Sequence, residues 1–318
     1  MLLKSLLLLV MGVMVSGPAD AAAVTPLHSL QPNKRSVTGL AFSPDNKMLA
    51  ASYDDKSLRL IDINKGAEIA KLEVSAGPNT LRFTPDGKIL LAIGDGGAVS
   101  IDVQNRKIKH LFQSDAAGGI SAIDVSPDGK LLAAVGRSSL SIWNIETGVN
   151  IATIDAHGGK AVNSVAFSPD GQHLATIGDD KKLITWSCLT SQLQKEIDLP
   201  GKGVCTVYTS GGDSLIVSCD DRTIHQVNAS NGDDEKLLSA DTAISLLVIS
   251  PDRPLVIIAG MGPQPGVLLC DKKRLTTEKF SGHETVVVAV AMSRDGRFFA
   301  SGDKDGKINI YPTMEAGK

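Results

Sequence analysis

An all-β fold built from seven similar four-stranded antiparallel sheets is what this sequence predicts, on three observations. A turn of the form Ser-Pro-Asp-Gly recurs along the chain at steps of 40 to 43 residues. The stretches around each copy carry strand and hairpin patterning and no sustained helical period. Aromatic residues are only 4% of the 318, so the core has to be filled by Val, Ile, Leu and Ala.

The turn reads Ser43-Pro44-Asp45-Asn46, Thr84-Pro85-Asp86-Gly87, Ser126-Pro127-Asp128-Gly129 and Ser168-Pro169-Asp170-Gly171. It degrades to Ser210-Gly211-Gly212-Asp213, then returns as Ser250-Pro251-Asp252-Arg253 and Ser293-Arg294-Asp295-Gly296. Proline presets φ at the second position, and Asp-Gly tolerates the tight reversal. Ahead of the turn stands a short β-rich first strand, as in Val37 to Phe42, Val162 to Phe167 and Val286 to Met292. A second follows it, such as Lys47 to Ser52, Leu131 to Val135 or His173 to Ile177. A Gly/Asp-rich turn leads to an alternating third strand (Leu58 to Ile63, Leu183 to Ser187). A more polar fourth strand, as in Ala67 to Val74 or Asn150 to Ile154, runs into the next copy.

Sheets this small cannot bury their own faces. Stacked radially, each covers its neighbours, and the pattern is that of a seven-bladed β-propeller. Seven copies of about 42 residues account for the 295 residues from Val24 to Lys318, a single domain at 24–318. The last copy ends just after its third strand, at Tyr311. Thr25 to Pro32 is therefore expected to supply the missing outer strand, joining the two termini in one blade and removing the last free edge.

Residues 1–23 read as a signal peptide. Lys4 supplies the positive start, and the apolar run Leu6 to Val15 is shorter than the roughly 20 residues a membrane helix needs. Gly17-Pro18 breaks the run, and small residues with A-x-A spacing follow through Ala23. This predicts a periplasmic or secreted protein with no stable membrane insertion after cleavage. The formal charge of −3, from 32 Lys+Arg against 35 Asp+Glu, provides no basic field and argues against nucleic acid. The four cysteines are Cys188, Cys205, Cys219 and Cys270. Export permits disulfides, and Cys205 and Cys219, flanking one hairpin, are the candidate pair. The alternative is four small buried apolar side chains.

The residue pairs Ile61-Asp62, Ile101-Asp102, Trp143-Asn144, Trp186-Ser187, Val227-Asn228, Cys270-Asp271 and Tyr311-Pro312 hold one place in the repeat. Six residues ahead of them stand Asp55, Asp95, Asp180, Asp221 and Asp305, with Arg137 and Gln264 in copies three and six. Gly282-His283 and, more loosely, Ala156-His157 precede first strands. In these features the chain resembles the WD-repeat β-propellers over nearly all of its mature length, with an exported, bacterial-type leader. The resemblance implies a buried tetrad of His, Ser/Thr, Asp and Trp. It falls on His157, Thr176, Asp180 and Trp186 in copy four, and on His283, Ser301, Asp305 and Tyr311 in copy seven. Such a chain stabilises only when every member is satisfied, so these residues are read as structural.

Motifs for chemistry are weak. The six histidines make no H-x-x-H or H-E-x-x-H spacing. Asp303-Lys304-Asp305-Gly306 opens like a calcium loop but places Met314 where a bidentate Glu is needed. No catalytic residue, metal or cofactor is expected. By the family's geometry, the turns between second and third strands and the lead-ins to first strands gather on one face around a central channel. The candidate interaction residues there are Arg35, Tyr53, Arg137, Lys181, Arg222 and Lys304, and Arg and Tyr anchors suit a protein partner. Arg137, standing in the tetrad Asp position, is expected at the channel mouth. The expectation is an exported, non-enzymatic scaffold that binds another protein, alone or within a periplasmic or envelope complex. A second reading, by fold analogy alone, is a lactonase-like or redox-associated enzyme that binds a small molecule or cofactor at the channel mouth.

Overall fold

The alternation of apolar residues read above becomes strands and, among the described residues, no helix. The computed structural model describes residues 25–74, 78–94, 97–113, 119–239, 244–249, 255–260, 267–271, 276–280 and 282–313. The leader at 1–23, the Ser250–Arg253 turn, Asp95 and Gln264 lie outside the described residues.

A short strand, β1 (His28–Leu30), comes first. The first meander is β2 (Val37–Phe42), β3 (Met48–Tyr53), β4 (Ser57–Asp62) and β5 (Ala67–Glu73). The second is β6 (Thr80–Phe83), β7 (Ile89–Gly94), β8 (Gly97–Asp102) and β9 (Lys107–Phe112). The third is β10 (Ala122–Val125), β11 (Leu131–Gly136), β12 (Ser139–Asn144) and β13 (Asn150–Asp155). The fourth is β14 (Val162–Phe167), β15 (His173–Gly178), β16 (Lys182–Ser187) and β17 (Leu193–Asp198). The fifth is β18 (Gly203–Tyr208), β19 (Ser214–Cys219), β20 (Thr223–Asn228) and β21 (Asp234–Ser239). The sixth is β22 (Ile244–Ile249), β23 (Leu255–Gly260), β24 (Val267–Asp271) and β25 (Thr276–Phe280). Then follow β26 (Val287–Met292), β27 (Phe298–Asp303) and β28 (Ile308–Pro312).

Among the described residues, six four-stranded antiparallel sheets pair their strands in chain order, and a further sheet has the order β1-β28-β27-β26. In that seventh sheet Ser29 lies opposite Asn309. The β1 strand is shorter than the expected Thr25 to Pro32. Pro26 and Pro32 bracket it, and proline has no N–H to give a ladder. The first strands of the meanders lie side by side in succession, β2 against β6, then β10, β14, β18, β22 and β26, with β26 also against β2. This arrangement is consistent with a propeller.

The recurring turn is a hydrogen-bonded device. The Ser43 hydroxyl donates to Asp45 Oδ1 at 2.6 Å, and that oxygen also accepts the Lys47 N–H at 3.1 Å. Ser43 Oγ accepts the Met48 N–H at 2.9 Å, so one side-chain pair ties both strands of the hairpin. Thr84–Asp86, Ser126–Asp128, Ser168–Asp170 and Ser293–Asp295 repeat the bond. In three of these the hydroxyl is the main cause holding the acid below the usual carboxylate range: Asp86 by Thr84, Asp128 by Ser126 and Asp170 by Ser168. In the fifth sheet the Ser position belongs to Thr209 and not to Ser210. The Thr209 N–H donates to Ser214 O, and Gly212 N–H donates to Thr209 O. The closing pair Tyr208 with Leu215 sets this register, as Phe167 with Leu174 does in the fourth sheet.

The cores lie between sheets. Leu58, Leu60 and Ala50 of the first pack with Leu81, Leu90 and Ile101 of the second, all 2% exposed or less. Ala133, Leu140 and Ile142 of the third pack with Val162, Leu174 and Trp186 of the fourth. Val37, Leu49, Tyr53 and Ile61 of the first share a core with Ala300, Ile308 and Ile310 of the seventh. Each large side chain so buried contributes about 1.5–3 kcal/mol. The second residue of the recurring pairs at the end of the third strand has its own task. Asp62, Asp102 and Asn144 accept the N–H three residues on, from Lys65 (3.0 Å), Asn105 (2.7 Å) and Thr147 (2.9 Å). Each thereby caps the turn into the fourth strand, a task that Asp and Asn side chains suit.

Candidate interaction face

Antiparallel meanders put the turns between second and third strands at the same end of each sheet as the lead-ins to first strands. In the fourth sheet that end is braced from inside. His157, 3% exposed, donates from Nδ1 to Asp180 Oδ1 at 2.8 Å, and its Nε2 accepts the Thr176 hydroxyl at 2.9 Å. The Trp186 indole N–H donates to Thr176 Oγ1 at 2.9 Å. Asp180 Oδ1 also accepts the Lys182 N–H at 3.1 Å. The structure thus brings together all four residues that the resemblance singled out in copy four, with every donor placed.

The seventh sheet departs from expectation at its acid. The partner of His283 Nδ1 is Asp303 Oδ2, at 2.7 Å, while His283 Nε2 meets Ser301 Oγ at 2.7 Å. Asp305, the expected member, is exposed. The register explains the exchange. Asp303 lies opposite Val287, the position that Gly178 holds opposite Val162 in the fourth sheet. A Cβ added at Gly178 would stand 3.1 Å from His157 Nδ1. An acid on that residue therefore reaches the imidazole first. Asp303 Oδ1 meanwhile accepts the N–H of Asp305 and of Lys307, at 3.0 and 2.9 Å. The calcium-like turn thus has its first carboxylate engaged by its own loop and by His283. Tyr311 is 1% exposed. Burial raises its phenol above the usual value, against hydrogen bonds with Asn309 and Ser301.

Tyr53 occupies the equivalent position in the first sheet, opposite Val37. Expected on the surface, it is instead 0% exposed, with the Arg59 guanidinium 5.5 Å from its ring centre. Burial raises its phenol well above the ordinary range. The position is the last of the strand and faces inward, so Tyr53 belongs to the core and not to the face. Arg35, Arg137, Lys181, Arg222 and Lys304 are all exposed. Arg137 sits in a two-residue turn between Gly136 and Ser139, and its carbonyl accepts the Val162 N–H at 2.6 Å.

The proposed disulfide is absent, since Cys205 and Cys219 hold no bridge to each other. Cys205 lies opposite Ser218, the neighbour of Cys219. Adjacent strand residues point to opposite faces of a sheet, so the two sulfurs are on different sides. Burial pushes the Cys219 thiol up to about 11 and the Cys188 thiol up to about 12.

Several positioning residues carried no sequence signal. Thr38 donates to the Pro78 carbonyl, Ser121 to Val162 O at 2.8 Å, and Asn163 to Gly203 O at 2.8 Å, each clamping one sheet to the next. Asn163 also donates to Asp179 Oδ1 at 2.9 Å, and Lys202 Nζ stands 3.2 Å from Asp179 Oδ2. In the fifth sheet His225 bridges Asp234 (2.7 Å) and Thr223 (2.8 Å). At the opposite end, the Asp124 carboxylate accepts the Phe167 N–H at 2.8 Å and lies 3.9 Å from Arg82 Nε. Burial pushes Asp124 upward, opposed by Arg82 and by that N–H.

Comparison with known proteins agrees with this geometry. Residues 24–62, 106–144, 148–187 and 273–311 match the WD domain, G-beta repeat family. The target of rapamycin complex subunit wat1 of Schizosaccharomyces pombe is 31% identical over 101 residues, covering 30% of this chain and 31% of that protein. The match thus spans about a third of that relative's length.

Proposed function

We propose that this chain, a WD-repeat protein, is a non-enzymatic scaffold that binds another protein through the turn face of a closed seven-bladed propeller. The observation that carries the reading is a braced layer beneath exposed charge. His157 and His283 anchor two turns to their own sheets, while Arg35, Arg137, Lys181, Arg222 and Lys304 stand exposed at the same end. A face held this way loses little conformational freedom on binding. The Thr176–His157–Asp180 and Ser301–His283–Asp303 chains resemble nucleophile–base–acid sets. Their hydroxyl-bearing residues are 0% exposed, which favours bracing over chemistry. Similarity to a protein named as a complex subunit supports the scaffold reading.

The test is partner capture from extract by the purified chain, repeated with Arg137→Glu and Lys304→Glu. Recovery lost in both variants supports the face, and recovery unchanged in both overturns it. The closed ring is supported by β1 on β28 and by the core shared between the first and seventh sheets. Deleting residues 24–34 should lower the melting temperature far more than deleting 315–318. Equal temperatures would overturn the shared blade. Export, to the periplasm or the medium, rests on the 1–23 leader. N-terminal sequencing of the recovered protein should begin at Val24, and an intact Met1 product would refute cleavage.

A further inference from the structure

At the outer rim of the end opposite the candidate face, the seams between neighbouring sheets are not alike. Two are tied by polar side chains. In β9 the residue skipped by the ladder to β8 is Lys109, between Ile108 and His110. Lys109 Nζ pairs with the Glu146 carboxylate at 2.7 Å, and His110 Nε2 meets the Glu146 carbonyl at 2.8 Å. The second sheet thereby holds the turn 144–148 of the third. In β17 the skipped residue is Gln194, and Lys195 after it donates to the Ser230 carbonyl at 2.6 Å. The fourth sheet thereby holds the turn 228–232 of the fifth.

Between the third and fourth sheets the same places carry different chemistry. The skipped residue of β13 is Ile151, followed by Ala152. The matching turn is 187–191, closed like 144–148 and 228–232 by a bond from its fifth N–H to its first carbonyl. Its third residue is Leu189. Ile151 and Leu189 thus take the places of the Lys109–Glu146 pair, and Ala152 has no side-chain donor to tie the seam. Leu189 is 93% exposed and Ile151 55%. Val149, just ahead of β13, and Leu193, at the start of β17, are exposed as well. Charge is missing too, since residues 147–154 and 187–194 contain no Asp, Glu, Lys or Arg. The corresponding run of the second sheet carries Arg106, Lys107 and Lys109, and that of the fifth carries Asp233, Asp234 and Glu235.

We infer that this seam docks a second copy of the chain about a two-fold axis, with Ile151 and Leu189 at the centre of the contact. In an isologous contact each patch meets itself. The matching runs of the second and fifth sheets would set like charges against each other, whereas an uncharged patch complements itself. Depletion of charge around an apolar centre is also what distinguishes the core of a protein interface. The four apolar side chains present on the order of 400 Å², the size at which a patch marks a contact. A standard interface takes about 800 Å² from each partner, so the polar surround must join in, and Thr147, Asn150, Thr190 and Gln192 are exposed around the patch. The pairing is therefore weak and depends on concentration. It leaves the turns between second and third strands uncovered, so a dimer offers two candidate faces at once.

The test is sedimentation velocity of the purified chain from about 1 to 200 μM, with phosphatidylcholine vesicle flotation alongside. A reversible equilibrium between one and two copies is expected. Leu189→Asp and Ile151→Asp should each weaken it about tenfold or more. Ile69→Asp should leave it unchanged, although Ile69 is the exposed, skipped residue of β5 in the first sheet. If an Asp variant melts early, Leu189→Ser and Leu193→Ser should show the same direction of loss. A chain that stays monomeric throughout, a dimer indifferent to the Leu189 and Ile151 variants, or assembly that continues past two copies overturns the inference. So does vesicle binding that needs Leu189 in a chain that remains single, since the patch then belongs to lipid.

Discussion

The fourth and seventh sheets build one polar chain with different acids. His157 reaches across a turn to Asp180, past a glycine that leaves the way open. His283 takes Asp303 from the strand end itself, and the acid two residues on goes to solvent. The Asp180 side chain keeps 16% exposure and the Asp303 side chain 2%. Trp186 donates an indole N–H to its hydroxyl partner; Tyr311 in the matching place hydrogen-bonds Ser301 and also stacks on Phe299, with ring centres 4.7 Å apart. The lesson is that the imidazole's surroundings select the acid, and the spacing along the chain does not.

The largest effect expected in either sheet is Trp186→Ala, a loss of about 3–5 kcal/mol from the cavity and the missing donor, read by urea unfolding. Asp303→Asn comes next, at about 3 kcal/mol. Both Asp303 oxygens accept, Oδ2 from His283 and Oδ1 from two backbone N–H groups, so an amide either aims a donor at a donor or forces the His283 ring into its other tautomer and reverses the bond to Ser301. Asp180 accepts both its bonds on Oδ1. Asp180→Asn can keep both and should cost about 1 kcal/mol or less. Equal losses in the two variants would erase the distinction between the sheets.

Asp303→Gly sharpens the comparison by making the seventh sheet resemble the fourth. Its loss should be smaller than that of Asp303→Asn by about 1 kcal/mol, because His283 can then turn to Asp305. A loss as large as that of Asp303→Asn would mean that Asp305 cannot substitute. The smallest effect is on pH dependence. Burial holds His283 below the usual histidine range, opposed by Asp303. A depressed folded value means that the stability is present above about pH 6.5 and is lost as pH falls through the folded value. Between neutral and mildly acid pH, His283→Gln should therefore lose less stability than the parent, and parallel curves would contradict this.

Much of the fold was legible because one interaction repeats. The Ser-Pro-Asp turn and the strand alternation that flanks it are both local, so first strands such as Val37–Phe42 and Val162–Phe167 lie where the pattern put them. His157, Thr176, Asp180 and Trp186 were legible only through the resemblance to WD repeats, whose tetrad falls on these four positions. Tyr53 and Asp303 were misread through the same position. Both look like turn residues along the chain, and whether that position faces inward is decided by its pairing with Val37 or Val287. Thr209 was misread by one residue because the degraded turn kept neither its serine nor its proline.

By itself, then, the amino-acid order determined the number and phase of the hairpins and the residue types that close them, because those depend on hydrogen bonds spanning a few residues. Only the packed molecule decided which acid a histidine takes, which tyrosine is core, which face a cysteine points to, and that Ser121 and Asn163 tie one sheet to the next. Each of those depends on what a neighbouring strand or sheet brings within about 3 Å, a distance that separation along the chain does not encode.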